Sequence, residues 1–304
     1  MPDAASPITL ATSFGAASMA TWLVGTLITL AFMALAVAEG FRLNALKLPS
    51  LPEVTAQVRA VAADPDATVE DLAQQVVRDA ALTARLIRVA NSPLLRGRME
   101  VRTLSQAITR LGFYYVRDLV TALALEHAFE PCTNATRQLQ QRISRRSRDV
   151  AAVSHVLARH CTGLAPEQAM LAGLLHFIGA LPLLAAVEDE QLARADSKAL
   201  FVMIEKRHAE IGGRILRHWH FPEEIAAVPE AYRDTTRVNE DMPDYADIVA
   251  VACLLSKPLE QIGQEIDDWG DFAPARRLGL ENAAAFYSSE VMQGDLQKCM
   301  EMLN

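Results

Sequence analysis

Arg142, Arg145 and Arg146 recur at i, i+3 and i+4, so on a helix their guanidinium groups crowd onto one face. A guanidinium matches phosphate oxygens two at a time, which makes that face a candidate site for a phosphate or a nucleotide. The same spacing also describes an ordinary solvated face paired with nearby acids. Of the seven histidines, His176 and His208 sit in apolar helical stretches. There an imidazole is either a metal ligand or a core group hydrogen-bonded to its neighbours. His155, His160, His218 and His220 have no spacing that repeats as a ligand pair. Asn91 and Ser92 precede Pro93 at the end of an apolar stripe. Their side chains either cap a helix or line an inter-helix groove that contacts a partner.

Other chemistries are poorly represented. Cys132, Cys161, Cys253 and Cys299 are scattered without a C-x-x-C pair, which fits thiols in a reducing compartment better than a disulfide frame or zinc site. There is no Walker loop, no G-x-G-x-x-G after a strand and no G-x-S-x-G, so no cofactor is implied. A net charge of −8 argues against nucleic-acid binding by bulk electrostatics.

The elements that must position these residues read as helices. The chain of 304 residues is 51% hydrophobic with 14 Gly and 14 Pro, and it has few β-branched runs, which predicts an all-α protein. Thr68 with Asp71, and Thr103 with Gln106, have the spacing of capping boxes. Val69, Leu72, Ala73, Val76 and Val77 form the apolar stripe behind the first, while Leu82, Leu86, Val89 and Ala90 form a second stripe ending at Asn91. Gly112 breaks the next helix, and Val116, Leu119, Val120 and Leu123 begin another. Pro131 to Thr136 reads as a connection between two helical halves, 48–130 and 137–304. Pro166 and Glu167 suit the first turn of a helix that runs through His176 to Gly179. Further helices are expected over His208–Trp219, over Asp244–Ser256 and after Leu278.

No charged residue lies between Ala4 and Ala38. Residues 16–38 are therefore expected to form one transmembrane helix after a tail (1–15) and before a linker (39–47), with Trp22 as an interfacial anchor. Arg42 and Lys47 follow the span, which places the body in the cytoplasm by the positive-inside bias. The expected location is thus the bacterial inner membrane, single-pass. The alternative is a buried helix of a soluble cytoplasmic protein.

Four stretches, in this order and spacing, resemble the HDOD family, the HD-related output domain of bacterial signalling proteins. They are Leu48–Val54, Asp79–Ser92, Ser105–Gly112 and Leu171–Gly179. The resemblance covers about Leu48 to Asn304 and implies an all-α, HDOD-like body in two packed halves, the second a degenerate HD-like half. Active HD relatives hold metal through His and Asp side chains on several helices. The resemblance puts Arg146 at the first ligand position, His176–Phe177 at the His-Asp pair, and His208 at a retained His. Tyr232 and Arg233 fall near a His pair and Cys253 near the closing Asp. Phenylalanine offers no lone pair, and arginine does not deprotonate to become a ligand. The implied function is regulatory and non-catalytic, through binding of signalling proteins or a small effector. A nucleotide or phosphate receptor using the Arg-lined cleft, and a metal-dependent phosphohydrolase with a rearranged site, are the alternatives.

Overall fold

A computed structural model describes residues 52–92, 95, 99–129, 133–187, 197–234, 236–237, 242–257 and 269–303. The 16–38 span, Cys132 and the 1–47 boundaries lie outside these. Among the described residues every regular element but the turns is a helix.

The N-terminal part contains α1 (Glu53–Ala63), α2 (Val69–Val76), α3 (Ala80–Ala90), α4 (Leu104–Leu111) and α5 (Phe113–Ala128). Local chemistry sets their ends. Thr68 and Asp71 exchange side-chain-to-backbone bonds at the start of α2, and Thr103 and Gln106 do the same for α4. Gly112, at φ 90°, turns the chain between α4 and α5 in a conformation that a Cβ would strain.

The second part contains α6 (Asn134–Cys161), α7 (Pro166–Leu175), α8 (Ala180–Ala185), α9 (Ser197–His218), α10 (Glu223–Ala226) and α11 (Val228–Ala231). It ends with α12 (Tyr245–Leu255), α13 (Ala273–Arg277), α14 (Ala283–Ser288) and α15 (Glu290–Leu303). The axis is α6, against which α7, α8, α12 and α15 all pack. Every residue from Val150 to Ala158 is buried, and several are alanine, so neighbours can close in on all sides. Thr133 caps α6 through a box with Thr136, so the connection expected up to Thr136 is already helical by Asn134. α1 packs on α5 within the first part, and the packing of α5 on α7 joins the two parts.

The stretch Pro166–Ala185 is long and apolar enough to cross a membrane, yet 83% of it is buried inside the fold. It is the core helix of this body. It is also not continuous as the sequence suggested. After Leu175 the backbone tightens to i→i+3 bonds, with Ile178 N–H donating to Leu175 O, Ala180 N–H to Phe177 O and Leu181 N–H to Ile178 O, before α8 resumes.

Two glycines explain how closely the helices approach. A Cβ on Gly173 would lie 2.7 Å from Ala151 Cα, and one on Gly179 would lie 2.0 Å from His208 O and 2.5 Å from Gly212 N. These obstacles are backbone atoms and cannot rotate aside.

A buried ion cluster pins α12. Asp247, fully buried on α12, accepts from Arg277 Nη2 at 2.5 Å and Nε at 2.8 Å, and from Arg237 Nη2 at 2.9 Å. Two guanidinium groups meet the desolvated carboxylate, as a buried charge requires.

Gly179→Ala should destabilise the protein by about 3 kcal/mol or more, because the added methyl must displace the α9 backbone. Urea unfolding of the variant checks this, and a cost under about 1 kcal/mol would contradict the close approach.

Candidate functional site

His176 and Phe177 lie in the tight turn between α7 and α8, and their direction follows from that interruption of the helix. A continuous α-helix would advance each by 100° per residue about one axis. The tightened turn, wedged against α9 at Gly179, instead brings both side chains to His208. The Phe177 ring packs on the His208 imidazole with centroids 3.8 Å apart, and lies 5.8 Å from the His176 ring. Tyr232, just after α11, sets its ring edge-to-face on His176 at 5.2 Å and hydrogen-bonds His208 Nε2 at 3.3 Å.

These contacts fix the protonation states. His176 Nδ1 donates to Gly173 O at 2.7 Å. Burial lowers its pKa to about 4, with Arg146 adding to the effect, so the ring is neutral with the proton on Nδ1. Burial likewise lowers His208 to about 3, helped by His176 and Arg233. Burial pushes the Tyr232 hydroxyl up, and it pushes the Cys253 thiol up to about 12. Every titratable group in the cleft's interior is therefore uncharged near neutral pH.

Charge sits at the rim. Arg146 is exposed on α6 and lines the cleft with Ile143, Ser147, Phe201 and Glu205. Arg233 is committed to Glu205, donating to its backbone O at 2.9 Å and pairing with its carboxylate at 3.1 Å. The cleft encloses only about 30 Å³.

A metal does not fit this arrangement. Phe177 occupies space against both imidazoles, His208 Nε2 and His176 Nδ1 already have partners, and Arg146 and Arg233 bring positive charge. Among the described residues no group of three or more His, Cys, Asp or Glu side chains converges closely enough to hold a metal ion.

The residues singled out in the sequence fall into three places. His176, His208 and Arg146 meet in the cleft, with Phe177 and Tyr232. Arg142 and Arg145 are exposed on α6 and do not line it. Asn91 and Ser92 are far along the chain and serve local structure. Asn91 Nδ2 donates to Val101 O at 2.6 Å and Oδ1 accepts from Val101 N–H at 2.7 Å, while Ser92 Oγ accepts from Leu95 N–H at 3.3 Å. Phe201, Ser147 and Glu205 carry no sequence signal for the cleft. Glu205 lies 28 residues from its partner Arg233 and meets it only through the fold.

The HDOD domain model matches residues 48–234. A candidate metal-dependent phosphohydrolase from Shewanella amazonensis SB2B superposes with a TM-score of 0.78 at 26% identity, over 91% of this chain and 99% of that one. An HDOD domain protein of unknown function from Geobacter sulfurreducens shares the fold, with a TM-score of 0.55 at 20% identity over 88% of this chain and 97% of the other. An uncharacterized protein of Treponema pallidum (strain Nichols) is 20% identical over 239 residues, which is 72% of this chain. The chain spans only 45% of that curated relative.

The buried imidazoles predict how stability depends on pH. His155 is lowered to about 4 by burial as well, with Arg159 contributing. All three residues bind a proton less readily folded than in the unfolded chain, whose histidines titrate near 6.5. Unfolding therefore takes up protons, and stability falls as pH drops from about 6.5 towards about 4. Each residue adds up to about 1.4 kcal/mol per pH unit in that window. Urea unfolding between about pH 7 and pH 5, above the main carboxylate range, tests this, and a flat profile would contradict neutral buried histidines.

Proposed function

Because the chain belongs to the HDOD domain family, we propose that it is a regulatory, non-catalytic protein of bacterial signal transduction that acts by binding. What carries the reading is Phe177 packed against His176 and His208 where a metal would need an anionic ligand. A metal-bound hydroxide needs several anionic or imidazole donors around its cation. Among the described residues, the groups around the two imidazoles are a phenyl ring, a phenol, a thiol, the Ser147 hydroxyl, two guanidinium groups and the Glu205 carboxylate, which is paired with Arg233. Binding needs only the shape and charge of such a cleft.

The partners under this reading are signalling proteins or a small effector. An effector would regulate only if it bound one packing of the helices better than another. The residues beside the cleft give such coupling a route, since α9 carries His208 and Glu205 and also packs on α8, α10 and α11. Residues 16–38 complete the proposal as a membrane anchor with the body in the cytoplasm, on the strength of the uncharged stretch from Ala4 to Ala38 and of Arg42 and Lys47 beyond it.

The full chain, expressed with added manganese and iron, should purify with far less than one metal per molecule and show no metal-dependent phosphoesterase activity. Stoichiometric metal by elemental analysis, with activity that a chelator removes, would replace this reading with a phosphohydrolase. The membrane assignment is checked by fractionation: the chain should remain in the membrane pellet through alkaline carbonate and leave it in detergent.

A further inference from the structure

The first half of α6 is basic in a chain whose net charge is −8. From Pro131 to Arg148 there are five arginines, Arg137, Arg142, Arg145, Arg146 and Arg148, and no Asp or Glu. Thr136, Leu139, Ile143 and Ser147 turn into the body and are buried. Arg137, Gln138, Gln141, Arg142, Arg145 and Arg146 are exposed between them. At about 100° per residue, Gln138, Gln141, Arg142 and Arg145 fall opposite the buried stripe, with Arg137 and Arg146 at its two margins.

The positive charge of this face is not answered within the body. Arg137 donates to Asn134 Oδ1 at 3.3 Å, a neutral acceptor. Among the described residues, Arg142, Arg145 and Arg146 make no hydrogen bond or ion pair. Two acids lie nearby. Asp149 is half-buried, within electrostatic reach of Arg145 and Arg148, and Glu205 is held by Arg233 at 3.1 Å.

The composition of the face selects its partner. The centre of a protein interface is apolar and depleted of charge, whereas the exposed residues here are arginine and glutamine. An anionic lipid surface is bound by charge alone, and a guanidinium matches head-group phosphate. With residues 16–38 in the bilayer, the linker 39–47 spans at most about 30 Å when extended, so the body stays beside the leaflet.

We infer that the exposed face of α6 docks the body on anionic lipid head groups through Arg142, Arg145 and Arg146. This rests on the reading of residues 16–38 as a membrane anchor. It goes further by naming the lipid chemistry and the face that meets it. Because Arg146 also lines the cleft, docking sets one edge of the cleft at the lipid surface.

The test uses the full chain in nanodiscs of phosphatidylcholine alone or mixed with phosphatidylglycerol. Phenylglyoxal, an uncharged arginine reagent, reads the exposure of each guanidinium by mass spectrometry. At low ionic strength, phosphatidylglycerol should slow modification of Arg142 and Arg145 by about fivefold. Arg276, exposed on α13, should react alike in both discs. Salt at about 1 M, where the screening length is about 3 Å, should restore the rates. Replacing both central residues, Arg142→Gln with Arg145→Gln, should return Arg146 to its rate in phosphatidylcholine. Equal rates in the two discs, protection in phosphatidylcholine alone, or equal slowing of Arg276 would overturn the inference. Stronger protection by poly-glutamate than by phosphatidylglycerol would also overturn it, in favour of an acidic protein partner. Flotation with phosphatidylcholine vesicles through alkaline carbonate separates the two failures. A chain that floats but gains no protection removes this inference alone, and a chain that does not float removes the anchor reading beneath it.

Discussion

The backbone of α9 lies so close to the turn after α7 that residue 179 has room for no side chain at all. A Cβ there would meet the His208 carbonyl at 2.0 Å. Much of the body is arranged around that approach. It sets the register of α9 against α8, and so decides that His208 faces the Phe177 ring. It also requires the tightened turn over residues 176–179, because a helix continuing through would carry Phe177 elsewhere. Gly173 against Ala151 repeats the device one helix earlier, seating α7 on the axial helix α6.

A cleft built this way has a neutral aromatic interior. Burial alone penalises the charged form of an imidazole, and a nearby guanidinium adds to the penalty. His176 and His208 are accordingly held neutral by both effects, with Arg146 acting on the first and Arg233 on the second. The same positive charges that would repel a cation are what an anion would seek. The Glu205–Arg233 pair neutralises one of them, leaving Arg146 as the charge that faces the cavity. A neutral interior and a positive charge at the rim are thus two consequences of one set of residue types.

On α12, the carboxylate of Asp247 plays a different part on the same principle. It is desolvated completely, and only the guanidinium groups of Arg237 and Arg277 make that tolerable. The pairing binds α12 and α13 to the residue 237 segment, and α12 carries Cys253 towards the cleft. Structural charge and cleft charge are therefore kept apart, one buried and saturated, the other at a rim.

The sequence by itself determined what short-range physics controls. Capping boxes at Thr68 and Thr103, the break at Gly112 and the apolar stripes apart from Val77, which is exposed just past the end of α2, appear as read, because each depends on residues within a few positions of one another. The stop at Asn91 was legible for the same reason, although its bond to Val101 was not. The family resemblance marked Arg146, His176, Phe177, His208, Tyr232 and Cys253 as positions of one vacated site, and the first five meet around the cleft with Cys253 in electrostatic contact with them. Tertiary structure alone decided the rest. The shared helix face of Arg142, Arg145 and Arg146 was visible in their spacing, but which of them faces the cleft depends on how α6 is rotated against its neighbours. The apolar run through Gly179 reads as one helix, and only the approach of α9, thirty residues on, forces it to tighten and turn Phe177 inward. Glu205 and Arg233 carry no mark of each other in sequence, since an ion pair across 28 residues is a property of packing, which no local pattern encodes.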